Sequence, residues 1–234
     1  MTSDAPTFLA QFVRHPFTTG AVLPSGSGLA ADITAAVPRT GHPLVVELGP
    51  GTGVFTRAIQ RRLAGRGRHV AVEVNPAFAA GLARRHPAVE VVRADAATLG
   101  RVLLDHRLPA VDVVVSGLPW AAFAAGRQRA ILDAVVGALD AGGVFTTFAY
   151  RHALPARPAR RFRRLLDGAF EEVTVGRTVW GNLPPALVYH CRRPTGAGNP
   201  PPAPAETPAC AGTGRAPAAT GRGAGTRSDP PVRR

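Results

Sequence analysis

Val45-Val46-Glu47-Leu48-Gly49-Pro50-Gly51-Thr52-Gly53-Val54-Phe55-Thr56 is the stretch on which the reading of this 234-residue chain turns. It passes from an apolar run of strand length, through three Gly at alternate positions, into residues with helical spacing. Gly has no Cβ, so such a loop turns sharply and lets a ligand approach the main chain. Amides at the start of the following helix point at negative groups such as a carboxylate. The pattern is not a nicotinamide fingerprint, because G-x-G-x-x-G would need Gly where the chain has Val54. It is not a Walker loop either, since no G-K-[ST] occurs.

Outward from this stretch, Val-rich runs of strand length recur at 44–48, 69–74, 89–92, 111–115 and 144–150. Continuous apolar runs of this kind suit a sheet covered on both faces. Between them, 56–64, 77–85 and 126–139 have helical spacing, with Ile131, Leu132, Val135 and Leu139 on one face. A further helix is expected near 160–166. Extended runs at 172–179 and 186–191, joined by Gly-Asn-Leu-Pro-Pro, then read as a closing hairpin. The alternation predicts an α/β fold: a Rossmann-like doubly wound seven-stranded sheet, mostly parallel with an antiparallel last strand, helices on both faces.

The chain carries 28 basic and 15 acidic residues, a net charge of +13, and contains no Lys, so every basic side chain is Arg. The excess points to anionic partners. Residues 194–234 hold nine Pro and seven Gly and no aromatic residue, too little apolar surface to offset the entropy of ordering, and a disordered tail is expected. Three parts follow: 1–40 as an N-terminal helical lid or membrane-contact segment, 41–193 as the ligand-binding domain, and 194–234 as the Pro/Gly/Arg tail. No run has the roughly 20 apolar residues of a membrane span. Asp4 stands where a secretory signal needs positive charge, and two Cys make no disulfide framework, so a reducing cytoplasm is the expected location.

Glu73 falls twenty positions after Gly53, at the end of the second strand. A carboxylate there can accept both hydroxyls of a ribose. Asp95, in Arg93-Ala94-Asp95-Ala96, ends the third strand, where it can accept from an adenine amino group. Open α/β sheets bind ligands in the crevice at these strand ends, so the three features point to one nucleoside site.

VVELGPGTGVFT, VAVEVN, RADA and Ser116-Gly117-Leu118-Pro119-Trp120 together resemble the motifs of the class I S-adenosylmethionine-dependent methyltransferases, over residues 8–193. That resemblance implies S-adenosyl-L-methionine as cofactor and no metal. It assigns the methionine part to Glu47 and the loop of Gly49, Gly51 and Gly53, the ribose to Glu73, the adenine to Asp95, and the fourth strand tip to Ser116. Within the class, FLAQFVRHPFTTGAVLPS, SGLP and VWGNLPPALVYHCRR are similar to the bacterial phosphatidylethanolamine N-methyltransferases. This implies methylation of a phospholipid headgroup amine toward phosphatidylcholine. The ribosomal RNA adenine dimethyltransferases are a more distant likeness. Their fourth motif reads Asn-Leu-Pro-aromatic, and here Gly117 takes the place of Asn. Asn182-Leu183-Pro184-Pro185 repeats the string after the fifth strand, where it reads as a rigid hairpin connection. An RNA adenine N6-methyltransferase is thus the alternative enzyme, and a non-catalytic S-adenosylmethionine-binding or lipid-surface adaptor the alternative of another class.

A sulfonium methyl is already electrophilic, so the main demand on the protein is to position an uncharged amine. Trp120, Leu118, Pro119 and Tyr150 are the candidates for that role. Trp120, Phe123, Tyr150 and Trp180 are the aromatic residues available to face a quaternary ammonium product. Tyr150, His152 and His15 are conceivable proton relays, with none singled out as a base. A lipid acceptor implies contact with the inner face of a membrane. Asp4 can cap a helix carrying Phe8, Leu9, Phe12 and Val13 on one face, and Arg157, Arg160, Arg161, Arg163 and Arg164 form a basic run suited to an anionic leaflet. RNA phosphates would be drawn to the same charge.

Overall fold

The structure, a computed structural model, describes residues 26–195. The amphipathic segment expected around Phe8 to Val13, His15, and the Pro/Gly/Arg tail beyond residue 195 lie outside the described residues.

Seven strands, β1 (Leu44–Leu48), β2 (Arg68–Val72), β3 (Glu90–Val92), β4 (Val111–Ser116), β5 (Leu139–Tyr150), β6 (Phe170–Val175) and β7 (Ala186–Pro194), form one sheet in the order β3-β2-β1-β4-β5-β7-β6. The first five are mutually parallel, and β7 runs antiparallel between β5 and β6. The architecture agrees with the expected doubly wound sheet. Among the described residues six α-helices cover it: α1 (Ser27–Ile33), α2 (Val54–Leu63), α3 (Pro76–Arg85), α4 (Leu99–Asp105), α5 (Ala125–Ala138) and α6 (Arg157–Ala169).

Side-chain alternation along the central strands decides what each face holds. Val46, Leu48, Val70, Val72 and Val114 pack with the apolar stripes of α4, α5 and α6. Val45, Val113 and Val115 pack on the other face with Leu29 and Ile33 of α1 and Phe55, Ala58 and Ile59 of α2. All five residues of β1 are buried, which explains why that run shows no alternation of polarity.

Three helices differ from the sequence expectation. Within the expected N-terminal segment 1–40, where the sequence places a helix only around Phe8 to Val13, Ser27–Ile33 form α1 because Leu29, Ala30 and Ile33 bury against the α2 face of the sheet. Helix α4 follows the Asp95 turn; Leu99, Val102 and Leu103 give it a short apolar stripe. Helix α6 starts three residues earlier than expected, with Pro158 in its first turn, where the missing N–H costs nothing. Strand β2 ends at Val72, so Glu73 lies just beyond it.

Register sets the tips of the strands side by side. Leu48 pairs with Val72 on one side and with Ser116 on the other, and Tyr150 of β5 pairs with Ala186 at the start of β7. The glycine loop, Glu73, the Ser116–Pro119 turn, Tyr150 and the β6–β7 connection therefore share the carboxyl edge of the parallel sheet.

Candidate methyl-donor site

The glycine loop is built on three positive φ angles, +67° at Gly49, +53° at Gly51 and +85° at Gly53. This is the left-handed region that side chains with a Cβ avoid. Space divides the three. A Cβ at Gly49 would lie 2.6 Å from Leu118 Cδ2 and one at Gly53 2.8 Å from Leu82 Cδ1, whereas one at Gly51 would meet nothing within 4 Å. Gly49 and Gly53 are therefore packing glycines, and Gly51 opens its main chain to a ligand.

Glu73 holds this loop. Its carboxylate accepts from the Gly51 amide at 3.1 Å and from the Asn75 amide at 2.9 Å, and the side chain is buried. Burial pushes its pKa above the ordinary 4.5, opposed by the amides that donate to it. One strand further out, the Asp95 carboxylate accepts from the Ala97 amide at 2.8 Å and pairs with Arg127 of α5 at 2.7 Å. The Glu73 amide donates to Val92 O at 3.0 Å, tying the β2 and β3 tips together. Arg127 was not legible as a partner of Asp95, because the two are 32 residues apart and meet only when α5 packs over the β3 tip.

Glu47 is fully buried beneath the loop, on the α2 face. Thr56 Oγ1 donates to its Oε2 at 2.7 Å. His69 Nε2 lies 3.2 Å from the same oxygen, at ion-pair distance but off the line of a hydrogen bond, while its Nδ1 meets Gln60 Nε2 at 2.9 Å. The other oxygen, Oε1, has no hydrogen-bond partner among the described residues. A buried carboxylate oxygen left unpaired is costly and fits a cationic or N–H donor supplied by a ligand.

The turn after β4 closes the other side. Gly117 N donates to Leu48 O at 2.8 Å, and a Cβ at Gly117 would lie 2.7 Å from Gly49 O. Gly is required at that position by the contact between the two loops. Leu118 packs on Gly49, so the first and fourth motifs touch.

Two expected site residues take other roles. Ser116 is fully buried, and its hydroxyl accepts from Trp120 Nε1 at 3.0 Å and from Leu118 N at 3.3 Å. It shapes the turn rather than presenting a side chain to a cofactor. Trp120 is 3% exposed and stacks on Phe162 at 4.2 Å, with Phe123 and Phe145 edge-on at 6.2 and 6.0 Å. A ring so enclosed offers no free face to a cation, so it anchors the turn from within the core.

Gln128 of α5, fully buried, completes that anchor. Its amide donates to Trp120 O at 2.7 Å and to Pro158 O at 3.2 Å, and its carbonyl accepts from Arg161 Nε at 2.9 Å. The signal was present in the sequence, since Gln128 sits on the buried stripe of Ile131, Leu132 and Val135. Arg161 also donates to Phe123 O at 3.1 Å, and Arg163 pairs with Asp167 at 2.9 Å. Of the expected basic run, Arg157, Arg160 and Arg164 are exposed.

Tyr150, at the tip of β5, lies edge-on to Phe148 at 5.3 Å and stacks with His152 at 5.8 Å. Burial pushes its hydroxyl up to about 12. It stays protonated at neutral pH and can donate a hydrogen bond, but it is no base there. Among the described residues no group of His, Cys, Asp or Glu is arranged to hold a metal, and no helix is long and apolar enough to cross a membrane.

Known proteins resemble this chain in sequence and fold. The family described as "Methyltransferase domain" matches residues 45–143. An ornithine lipid N-methyltransferase of Singulisphaera acidiphila is 32% identical over 188 residues, covering 79% of this chain and 94% of that protein. An O-methyltransferase from Bacillus cereus in complex with SAH superposes with a TM-score of 0.60 at 14% identity, over 82% of this chain and 92% of that one. TrmN from Thermus thermophilus superposes with a TM-score of 0.55 at 18% identity over 70% of this chain; the chain spans about half, 48%, of TrmN. These two structures share its fold. The unpaired Glu47 Oε1 and the open space at Gly51 suit a ligand with an ammonium group and a main-chain-bound carboxylate. The chain belongs to the class I methyltransferases, enzymes that use S-adenosyl-L-methionine as methyl donor.

Proposed function

We propose that the enzyme N-methylates the headgroup amine of a phospholipid, converting phosphatidylethanolamine toward phosphatidylcholine. The observation that carries this reading is the match to a lipid N-methyltransferase along 94% of that protein's length. In this reading Glu47 and the 49–53 loop take the methionine part of the donor, Glu73 the ribose and Asp95 the adenine edge. Bound there, the donor supplies an electrophilic methyl group on sulfur.

The chain's own task is then alignment and dehydration. In this reading Leu118 and Pro119 at the β4 tip and Tyr150 at the β5 tip line the acceptor side of the site, where an uncharged amine is held in line. Orientation of this kind contributes on the order of 7 to 11 kcal/mol. The amine would have to be held there as the free base, with its lone pair directed at the methyl group that the bound donor would supply. The proton of the starting ammonium leaves to water, and exposed His152, stacked on Tyr150, is a titratable group at the same strand tip. The RNA reading is disfavoured by Gly117. An Asn in its place would drive its Cβ into Gly49 O.

Incubation with labelled methyl donor and vesicles containing phosphatidylethanolamine, ornithine lipid or no amine, alongside ribosomal RNA, tests the assignment. Label in phosphatidylethanolamine is the expected result. Label in ornithine lipid alone moves the acceptor within the lipid amines, and label in RNA alone overturns the reading.

A further inference from the structure

Among the described residues the two most exposed large apolar side chains, Trp180 and Leu183, belong to one connection on the carboxyl edge. Between β6 and β7, Trp180 is 69% and Leu183 61% exposed, and Val175, at the end of β6, is 45% exposed. Exposed Trp and Leu three positions apart cost the free protein apolar surface in water, and the fold goes to some length to keep the connection in place. Asn182, 2% exposed, accepts from Gly26 N at 2.8 Å and donates to Pro184 O at 2.6 Å. Arg151 N donates to Pro185 O at 2.8 Å. The connection is thus built on a buried polar clamp, and its two apolar side chains are turned outward from it.

Charge surrounds them. The Arg151 guanidinium lies 5.3 Å from the centre of the Trp180 ring and donates to Thr178 Oγ1 at 3.3 Å. Arg177 is exposed on the same connection, and Arg157 begins α6 just beyond the turn that carries Arg151. Neither 141–166 nor 173–195 contains an acidic residue. Apolar side chains beside cations that have no acidic partner among the described residues complement a surface that is anionic outside and apolar beneath, where Trp settles at the headgroup level and arginines meet phosphates. RNA would use the arginines and the Trp but has no use for Leu183 and Val175.

We infer that the β6–β7 connection is the element by which the enzyme docks on an anionic bilayer: Trp180 and Leu183 enter the interface, Arg151, Arg177 and Arg157 hold lipid phosphates, and the acceptor side of the site is thereby set against the leaflet. The sheet register supports this placement, since Tyr150 pairs with Ala186 directly below the connection. The inference rests on the lipid-acceptor reading for its purpose, but docking is measured without the methyl donor.

The chain has two Trp, and Trp120 is buried in the core, so vesicle-induced changes report on Trp180. The full chain is mixed with phosphatidylglycerol/phosphatidylcholine vesicles carrying brominated acyl chains. The expected result is a blue-shifted, quenched emission that vanishes in Trp180→Phe, and vesicle binding reduced roughly fivefold for each of Arg151 and Arg177 changed to Gln. Circular dichroism checks that the variants are folded. Binding without quenching of Trp180, binding unchanged in Trp180→Ser/Leu183→Ser, or patch-dependent binding to RNA but not to vesicles would overturn the inference. Turnover separates it from the acceptor assignment. On a short-chain lipid amine dispersed below its micelle concentration, Leu183→Ser, a residue given no part in the acceptor site, is expected to match the wild type, while on vesicles it falls behind. A wild type that methylates no lipid in either form defeats the acceptor reading and leaves the docking result standing on the quenching alone.

Discussion

Glu73 is asked to do two things that pull against each other. It must be ionised to accept from the Gly51 and Asn75 amides, yet burial favours its neutral form and lifts its pKa above 4.5. In the free protein the fold therefore binds this proton more tightly than the unfolded chain, so the residue's contribution to stability falls as pH rises from 4.5 through the raised value. Donor binding has the opposite sign. A protonated Glu73 presents a hydrogen toward amides that also donate, so affinity for S-adenosyl-L-methionine is expected to weaken as pH drops through that raised value. Calorimetric titration across the acid range checks this. In Glu73→Gln the pH dependence flattens and affinity at neutral pH falls about 10- to 100-fold, the worth of a hydrogen bond to a charged group.

Gly117 gives a second test at the same scale. Its absent Cβ is what allows the β4 turn to close on Gly49 O, and an added carbon would sit 2.7 Å from that backbone oxygen, which has no flexible side chain to give way. Gly117→Asn is expected to cost about 1 to 3 kcal/mol by overpacking, read from a denaturant midpoint. It should also lower donor affinity and create no activity on RNA. A folded, fully active Gly117→Asn protein would show that the two loops can separate freely.

Between elements, the working part is the junction of the β4 turn with α5 and α6. Trp120 fills the core from the turn side, and Gln128 satisfies carbonyls of the turn and of the first turn of α6 while receiving Arg161. Gln128→Leu keeps the stripe apolar but leaves Trp120 O and the Arg161 guanidinium without their buried partner. The expected cost is about 1 to 3 kcal/mol. Because the junction bears on the acceptor side of the site more than on the glycine loop, kcat should drop more than donor affinity, a split that rapid-quench and binding measurements resolve. Helices α1 and α4 show where local reading stops at this scale. Each is only seven residues long, so each depends on burial of its apolar stripe in the core rather than on intrinsic propensity.

Across the whole molecule, strand runs, glycine spacing and the acids at strand ends were legible because each is a local property. A buried parallel strand needs a continuous apolar run, and a loop with alternate positive φ angles needs Gly. The partners of those residues were not. Asp95 with Arg127, Glu47 with His69, Ser116 with Trp120 and Asn182 with Gly26 are pairs made by helices and turns crossing the sheet, and nothing in either partner's neighbourhood names the other. By itself, the sequence determined the seven-stranded α/β order and the three strand tips that carry the glycine loop, Glu73 and Asp95, through the period of its apolar residues and the φ freedom of glycine. Only tertiary packing decided that Trp120 serves the core rather than the acceptor, that Ser116 turns inward, and that Trp180 and Leu183 remain in water, because burial is settled by which surfaces meet.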